Sequence, residues 1–402
     1  MARKLDLRTG RTVWSAYKVP KIETTALKRD IETDVIIIGI GISGAMAAER
    51  LTASGHKVVM IDRRDGAMLG STPATTALVQ FEIDQPLTVL TKKIGKAKAQ
   101  AAYRRSRLAV ANLTGRIEEL GIECNATPKP SLYLSGDEMS ADDLAEEAEA
   151  RRSAGINALF LKRKEIKSRF GISRDGAILG HGNLALDPRK LTAGLLLKAA
   201  ERGASLYTPV EAKTFSETKD GVTVTTSQGI TISAKFVVIA TGYELMDKVP
   251  AGGHSIISTW AIATAPQKDF DWKSLPLIWE ASDPYLYLRA TKDGRIICGG
   301  EDEEFTDTEK RDALLDAKTK TIARKLKALL PALDVTPEFA WAGSFGTTST
   351  GLPLIDRLKG KKRIFSLMGY GGNGITYSQI ASEIIGTAIE GGTDSDAGLY
   401  AL

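Results

Sequence analysis

An α/β protein of two lobes, one a Rossmann-type nucleotide lobe and the other built on an antiparallel sheet, follows from three observations. The first is a strand, glycine turn, helix, strand and acid in unbroken series from Asp34 to Asp62. The second is a later apolar strand, Val237-Val238-Ile239, that runs straight into the small residues Ala240, Thr241 and Gly242. The third is side-chain alternation over 255–265 and 277–300, with Lys292-Asp293-Gly294 as a hairpin turn. A length of 402 residues also exceeds the usual single domain.

Taken in order, Val35-Ile36-Ile37-Ile38 is a β-branched run suited to a strand buried on both faces. Gly39-Ile40-Gly41-Ile42-Ser43-Gly44 follows, and Ala45 to Leu51 reads as the first turns of a helix. Gly39 is expected to make the tight turn, Gly41 to let backbone approach a pyrophosphate, and Gly44 to let helix and strand pack closely. The helix N-terminus offers free N–H groups and partial positive charge to a diphosphate. Val58 to Ile61 is the second strand, and Asp62 at its end is placed to accept hydrogen bonds from a ribose. Ile42 and Ser43 belong to the same turn, and Arg63 and Arg64 follow the acid. A glycine turn in an unrelated α/β domain is the competing explanation, and its placement between strand and helix disfavours it.

Composition excludes several classes. A net charge of +5 from 54 basic and 49 acidic residues gives no case for nucleic acid. Two cysteines, Cys124 and Cys298, fit a reducing compartment and exclude a disulfide scaffold or a Cys-rich zinc site. The first twenty residues are basic without an apolar core, and the longest uncharged apolar stretch, Val35 to Ala48, is too short to span a bilayer. A cytoplasmic protein with no membrane span and no bound metal is expected. Residues 1–33 are polar and without period, which predicts an arm laid over the surface.

Small hydroxylated residues surround Gly70 in Gly70-Ser71-Thr72-Pro73-Ala74-Thr75-Thr76, suiting a loop that hydrogen-bonds a ligand rather than a core strand. From Pro86 to Gly121 helical spacing predicts one long helix or two shorter ones. Its basic residues, including Lys92, Lys93, Lys96, Lys98, Arg104, Arg105 and Arg107, read as a solvated face, as do the acids of 142–149. Leu132 to Leu134 is a strand. Asp187 caps a helix that begins at Pro188 and ends at Gly203. Ala204 to Val210 is a strand, and Val222–Thr226 with Ile230–Ile232 a hairpin. Lys310 to Leu330 is a helix, Trp341–Phe345 and Ile364–Met368 are strands, and Gly369-Tyr370-Gly371-Gly372-Asn373-Gly374 opens a last helix, Ile375 to Ile389.

With these motifs in order, residues 34 to 390 resemble the D-amino-acid oxidase/glycine oxidase family of FAD-dependent oxidoreductases. The resemblance rests on VIIIGIGISG with Asp62, GSTPATT at 70–76, LDP at 186–188, VVIATG at 237–242 and GYGGNGI at 369–375. The last is the most specific, because a simple NAD dehydrogenase has no reason to carry a second glycine turn before a C-terminal helix. The family implies a Rossmann-type, glutathione-reductase-like FAD lobe assembled from 34–100, 181–245 and 340–402, with 101–180 and 246–339 as substrate cap. It further implies Gly70, Ser71, Thr72 and Thr76 along the diphosphate and flavin, and Val210, Ala240, Thr241 and Gly242 near the adenosine half. Gly371, Gly372, Asn373, Gly374, Ile375 and Thr376 would stand at the flavin pyrimidine, where a helix N-terminus stabilises the charge of the reduced ring.

Two departures matter. Gly343 and Ser344 stand where covalent members carry cysteine, and 70–80 holds no histidine, so noncovalent FAD is expected. Gly346-Thr347-Thr348-Ser349-Thr350 replaces the arginine that clamps a substrate carboxylate, which removes the planar fork. In Tyr285-Leu286-Tyr287-Leu288-Arg289 the two tyrosines and the arginine share one strand face. That face looks to solvent or into a cleft over the flavin, where Arg289 would replace the missing clamp. Gln80 and Glu82, at alternate positions, either reach the reactive face or point outward from an ordinary strand, while Trp260, Trp341 and Tyr377 are expected to be packing residues.

The expected activity is oxidation of a C–N bond in a small amine or amino acid by hydride transfer to flavin N5, with oxygen or a carrier as electron acceptor. Rivals are a 2-hydroxy acid oxidase or dehydrogenase, an NAD(P)-dependent dehydrogenase with Arg63 and Arg64 on a 2′-phosphate, and a flavoprotein without turnover.

Overall fold

Two sheets organise the chain in a computed structural model, which describes residues 5–246, 249, 253–368 and 370–401. The first sheet runs in the order Leu354–Arg357, Ile364–Met368, Thr231–Ile239, Ile31–Ile38, Val58–Ile61 and Ser205–Tyr207. Its neighbours are parallel except the first pair. Val222–Thr226 and Ala212–Glu217 extend Thr231–Ile239 as an antiparallel meander. The two-residue period of a strand explains why the apolar run carries no polar partner. Val35 and Ile37 face a layer of helices with Ala45, Ala48, Leu191 and Ile380, while Ile36 and Ile38 face Phe215 and Val224. Both faces are therefore dry.

The second sheet runs Arg8–Arg11, Pro337–Thr348, His254–Thr264, Ile296–Glu303, Leu286–Ala290, Leu277–Glu280, Thr127–Leu134, Gly176–Ala185 and Leu78–Val79, with Ala158–Lys162 also on Gly176–Ala185. Among the described residues of this sheet only Leu277–Glu280 and Thr127–Leu134 pair in parallel. Helix Leu315–Leu329 covers one face, burying Ile322, Leu326 and Leu329 against Trp260, Ile262 and Leu288.

Several elements depart from expectation. The N-terminal arm enters the sheet instead of lying over the surface. Arg8–Arg11 pairs with 340–343, Val13 and Trp14 are buried, and Trp14 Nε1 donates to Thr75 O at 2.7 Å. Its first four residues lie outside the described ones, as does Gly369 of the last glycine turn. The segment 340–402, assigned to the nucleotide lobe, divides, because Pro337–Thr348 belongs to the second sheet. Residues 181–185 of the segment 181–245 likewise continue a strand of that sheet. The predicted 310–330 helix is two, Thr308–Ala313 and Leu315–Leu329.

Gly95, at φ +86°, splits the basic region into Leu87–Ile94 and Lys96–Leu120. Arg105 is not solvated, and it pairs with Glu383 at 2.7 Å and Asp394 at 3.0 Å. Glu147 of helix Ala141–Ser153 is fully buried. It accepts from Arg151 Nε and from the backbone N–H groups of Leu87 and Thr88, each at 2.8 Å, and so caps the helix Leu87–Ile94. No helix among the described residues is long and apolar enough to cross a membrane.

Candidate active site

The glycine turn lies where the parallel strands end. Gly39 adopts φ +117°, and a Cβ there would meet Ala240 O at 2.3 Å, so the turn and the second strand end touch backbone to backbone. A Cβ on Gly44 would meet Gly39 O at 2.1 Å. Helix Ile42–Ala53 begins at Gly41 with no side-chain cap, which leaves N–H groups at its end for an external acceptor. Thr72 Oγ1 accepts from Ile42 N at 3.1 Å, fastening the 70–76 loop to this end. Asp62 accepts from Ile40 N and Arg64 N, both at 3.0 Å.

Beside the turn a cavity of about 520 Å³ opens between the two sheets. Of the sequence candidates, Ile42, Ser43, Ser71, Thr72, Thr76, Gln80, Gly242, Tyr285 and Tyr287 line it, as do Gly371, Gly372, Asn373, Gly374 and Ile375. The last five open helix Gly374–Ile389, whose N-terminal end also lacks a side-chain cap. Gly39, Gly41, Gly44, Asp62, Gly70, Ala240 and Thr241 stand outside the cavity wall, at or next to these strand ends and loops. Val210 is buried and donates its N–H to Asp62 O at 2.7 Å, and Thr376 donates to Gln80 O at 2.7 Å. Trp260, Trp341 and Tyr377 are buried packing residues.

Arg63 and Arg64 are corrected as candidates for a 2′-phosphate, because both guanidinium groups pair with Glu244, Arg64 at 2.8 Å. Glu244, with Asp62 at 3.8 Å from Arg64, already offsets the two cations such a phosphate would need.

Arg289 is corrected too. Leu286 and Leu288 bury in the core as the alternation requires, which turns Tyr285 and Tyr287 into the cavity and not to solvent. Arg289, two residues on, is buried behind it. Its Nε donates to Thr76 O at 2.8 Å, its Nη2 to Leu186 O at 2.7 Å, and its guanidinium lies 5.2 Å from the Trp14 ring centre. It lines a separate cavity with Trp14 and Asp187, and burial pulls its pKa down to about 10. Bound to two carbonyls and an aromatic face, it braces the 70–76 loop and does not replace the carboxylate clamp. Arg289→Lys, which loses the fork, is expected to cost roughly 1–3 kcal/mol of stability in thermal unfolding. Its substrate KM should change less than about threefold, whereas loss of a carboxylate clamp would cost far more.

Sequence reasoning did not single out three acids. Glu244 was hidden in a loop. Asp84 continues the alternation of Gln80 and Glu82, which was the available signal, and accepts from Gly372 N at 2.8 Å. Asp302, on the Ile296–Glu303 strand, lines the same cavity. Water reaches Asp84 through the cavity, yet enclosure by protein pushes its carboxyl up to about 6. Burial pushes Asp302 up to about 6 as well, with the Asp84 charge adding to it. Glu82 is raised by burial. Its Oε1 accepts from Ser131 Oγ at 2.5 Å and Asn183 Nδ2 at 3.3 Å, and its Oε2 has no partner among the described residues.

Residues 34–387 match the family model described as FAD dependent oxidoreductase. The chain is 27% identical over 370 residues to a probable oxidoreductase, OrdL, of Rhizobium meliloti, covering 88% of this chain and 82% of that protein. It is 24% identical over 396 residues to the gamma-glutamylputrescine oxidoreductase of Escherichia coli, covering 94% and 88%. The fold matches crystalline glycine oxidase from Geobacillus kaustophilus at a TM-score of 0.73 and 20% identity, over 90% of this chain and 96% of that one.

Proposed function

The chain belongs to the DAO family of FAD-dependent oxidoreductases, and from that premise we propose that it oxidises a C–N bond in a small amine or amino acid with noncovalently held FAD. The residues present suit the cofactor. Two helix N-termini, neither capped by its own N-cap side chain, serve one cavity and its border, one for a diphosphate and one for the negative charge of a reduced ring. Gly39, Gly41, Ile42, Ser43, Gly44, Gly70, Ser71, Thr72 and Thr76 would hold the diphosphate side, with Asp62 at the ribose. Asp62 keeps lone pairs for a ribose hydroxyl after accepting its two backbone bonds. Val210, Ala240, Thr241 and Gly242 would flank the adenosine half, and 371–376 the flavin.

When bound, FAD supplies the two-electron acceptor for a hydride from the substrate carbon. As the C–H hydride leaves, the nitrogen lone pair closes the C=N bond. Water then adds to the resulting iminium and the C–N bond breaks, giving a carbonyl product and an amine or ammonia together with one proton. Oxygen or a carrier would take the electrons onward. Among the described residues neither cysteine nor histidine lines the cavity, and Cys124 and Cys298 are both fully buried, which supports noncovalent attachment. The observation that carries the proposal is the cavity itself. One wall is a nucleotide edge, and the other presents Tyr285, Tyr287 and Asp302. Gamma-glutamylputrescine and glycine, named for the relatives, are an amine and an amino acid.

The test is a visible spectrum of the purified protein and of the supernatant after acid precipitation, followed by anaerobic mixing with amines, amino acids and 2-hydroxy acids. FAD released into the supernatant, and bleaching of the protein-bound flavin by amines or amino acids, are the expected results. Colour held in the pellet would overturn noncovalent attachment, and bleaching by 2-hydroxy acids alone would overturn the C–N chemistry. An acid limb is also expected. Asp84 faces Asn373, Tyr243 and Tyr285, and Asp302 faces Thr259, Tyr285, Tyr287 and Lys318. Both carboxyls gain protons as pH falls through about 6, removing negative charge that an ammonium group meets. For an amine substrate, kcat/KM should fall up to about tenfold per pH unit below that point.

A further inference from the structure

The cavity wall carries charge of one sign. Among the described residues it presents Glu82, Asp84, Glu138, Glu280 and Asp302, and no lysine, arginine or histidine. The cations nearest these acids are engaged elsewhere. Arg151, near Glu82, is bonded to Glu147, and Lys318, near Asp302, pairs with Glu303 at 2.7 Å. Of the five, Glu280 is already neutralised by Arg174, and Glu138 is exposed; Asp84 is exposed too, but the Gly372 N–H holds its carboxylate at the glycine turn. That leaves Glu82, Asp84 and Asp302 for a ligand.

Glu82 is the informative member. It is 3% exposed, lines the cavity, and keeps Oε2 without a partner among the described residues, although a buried carboxylate oxygen ordinarily finds a donor. The surrounding surface is aromatic. Tyr133 and Trp279 stack at 4.9 Å between ring centres, and Tyr285 and Tyr287 lie 5.6 Å apart. Acid oxygens and ring faces together suit an ammonium group, whereas a carboxylate would meet like charge with no donor cation.

We propose that the substrate is a small dication, a diamine or polyamine-type molecule whose second ammonium is received by Glu82, Asp84 and Asp302, with no carboxylate beside the reacting carbon. The assignment rests on the C–N oxidation proposed above and narrows its substrate. It also gives the exchange of the clamp arginine for Gly346–Thr350 a physical sense, since no carboxylate remains to be clamped. The acids act by attraction for the dication and by repulsion of the amino acid, so one wall supplies both halves of the selectivity.

Three substrates of matched length separate the possibilities: putrescine, butylamine and γ-aminobutyrate, whose far ends are positive, neutral and negative. The holoenzyme is mixed anaerobically with each, and two quantities are read, the rate of flavin bleaching and the Kd from flavin spectral perturbation. Putrescine is expected to exceed γ-aminobutyrate by at least about 100-fold in bleaching efficiency, with butylamine between them. Asp302→Asn and Glu82→Gln, each checked for FAD content, should raise the putrescine Kd about tenfold or more and bring putrescine and butylamine together. Faster bleaching by γ-aminobutyrate or by amino acids would overturn the dication while leaving C–N oxidation standing. Putrescine binding that weakens in both variants, with no bleaching by any amine or amino acid, would sustain the cation site and overturn the oxidation. Absence of putrescine binding, or an unchanged putrescine-to-butylamine ratio in both variants, would overturn the proposal.

Discussion

Gly44→Ala is expected to yield a protein that folds poorly and retains less than about a tenth of its FAD, because overpacking at this contact has no soft partner to move. The added Cβ would sit 2.1 Å from Gly39 O and 3.2 Å from its carbonyl carbon. Both obstacles are backbone, and Gly39 is itself held against Ala240 O. Helix Ile42–Ala53 must therefore move away from the strand Ile31–Ile38, taking with it the N–H groups proposed to meet the diphosphate. Overpacking of this kind costs roughly 1–3 kcal/mol or more in stability. The checks are flavin absorbance per protein and thermal unfolding with and without added FAD. Wild-type FAD content in the variant would show that the helix does not need this close approach.

Glu147→Ala should be the most destabilising single change away from the cavity. Its carboxylate is fully buried, accepts from Arg151 Nε at 2.8 Å, and satisfies the Leu87 and Thr88 N–H groups at the start of another helix. Removing it leaves the equally buried Arg151 guanidinium without its counter-charge and uncaps helix Leu87–Ile94. A broken buried pair costs about 3–5 kcal/mol. The double variant Glu147→Leu with Arg151→Met removes both charges and should recover a large part of the loss. Denaturant unfolding of the wild type, Glu147→Leu, Arg151→Met and the double variant measures the coupling. A coupling near zero would mean that the two charges are solvated independently.

The chain told its first lobe plainly because local rules decide it. Val35–Ile38, the glycines and Asp62 obey constraints that span fewer than thirty residues, so spacing suffices. Leu286 and Leu288 likewise fixed which strand face held Tyr285 and Tyr287. The alternation said nothing of what that face meets. Tyr285 and Tyr287 reach the cavity, while Arg289 is caught by carbonyls from positions 76 and 186 and by the Trp14 ring. Those partners lie 213 and 103 residues away in sequence for the two hydrogen bonds, beyond any pattern of spacing.

The same divide runs through the charges. Net charge and local composition led Glu147 and Arg105 to be read as solvated, since isolated helices carry such residues outward. Packing buried both, because each found an opposite charge on the same or another element. Arg63 and Arg64 beside Asp62 suggested a phosphate site until Glu244 closed on them. The sequence by itself determined the nucleotide-binding topology and the family, through glycines and apolar strands whose constraints are steric and local. Only the tertiary structure decided the sign of the cavity. Glu82 and Asp84 come from the loop after Leu78–Val79 and Asp302 from the strand Ile296–Glu303, no cation among the described residues lines the cavity, and electrostatic character is a sum over neighbours in space.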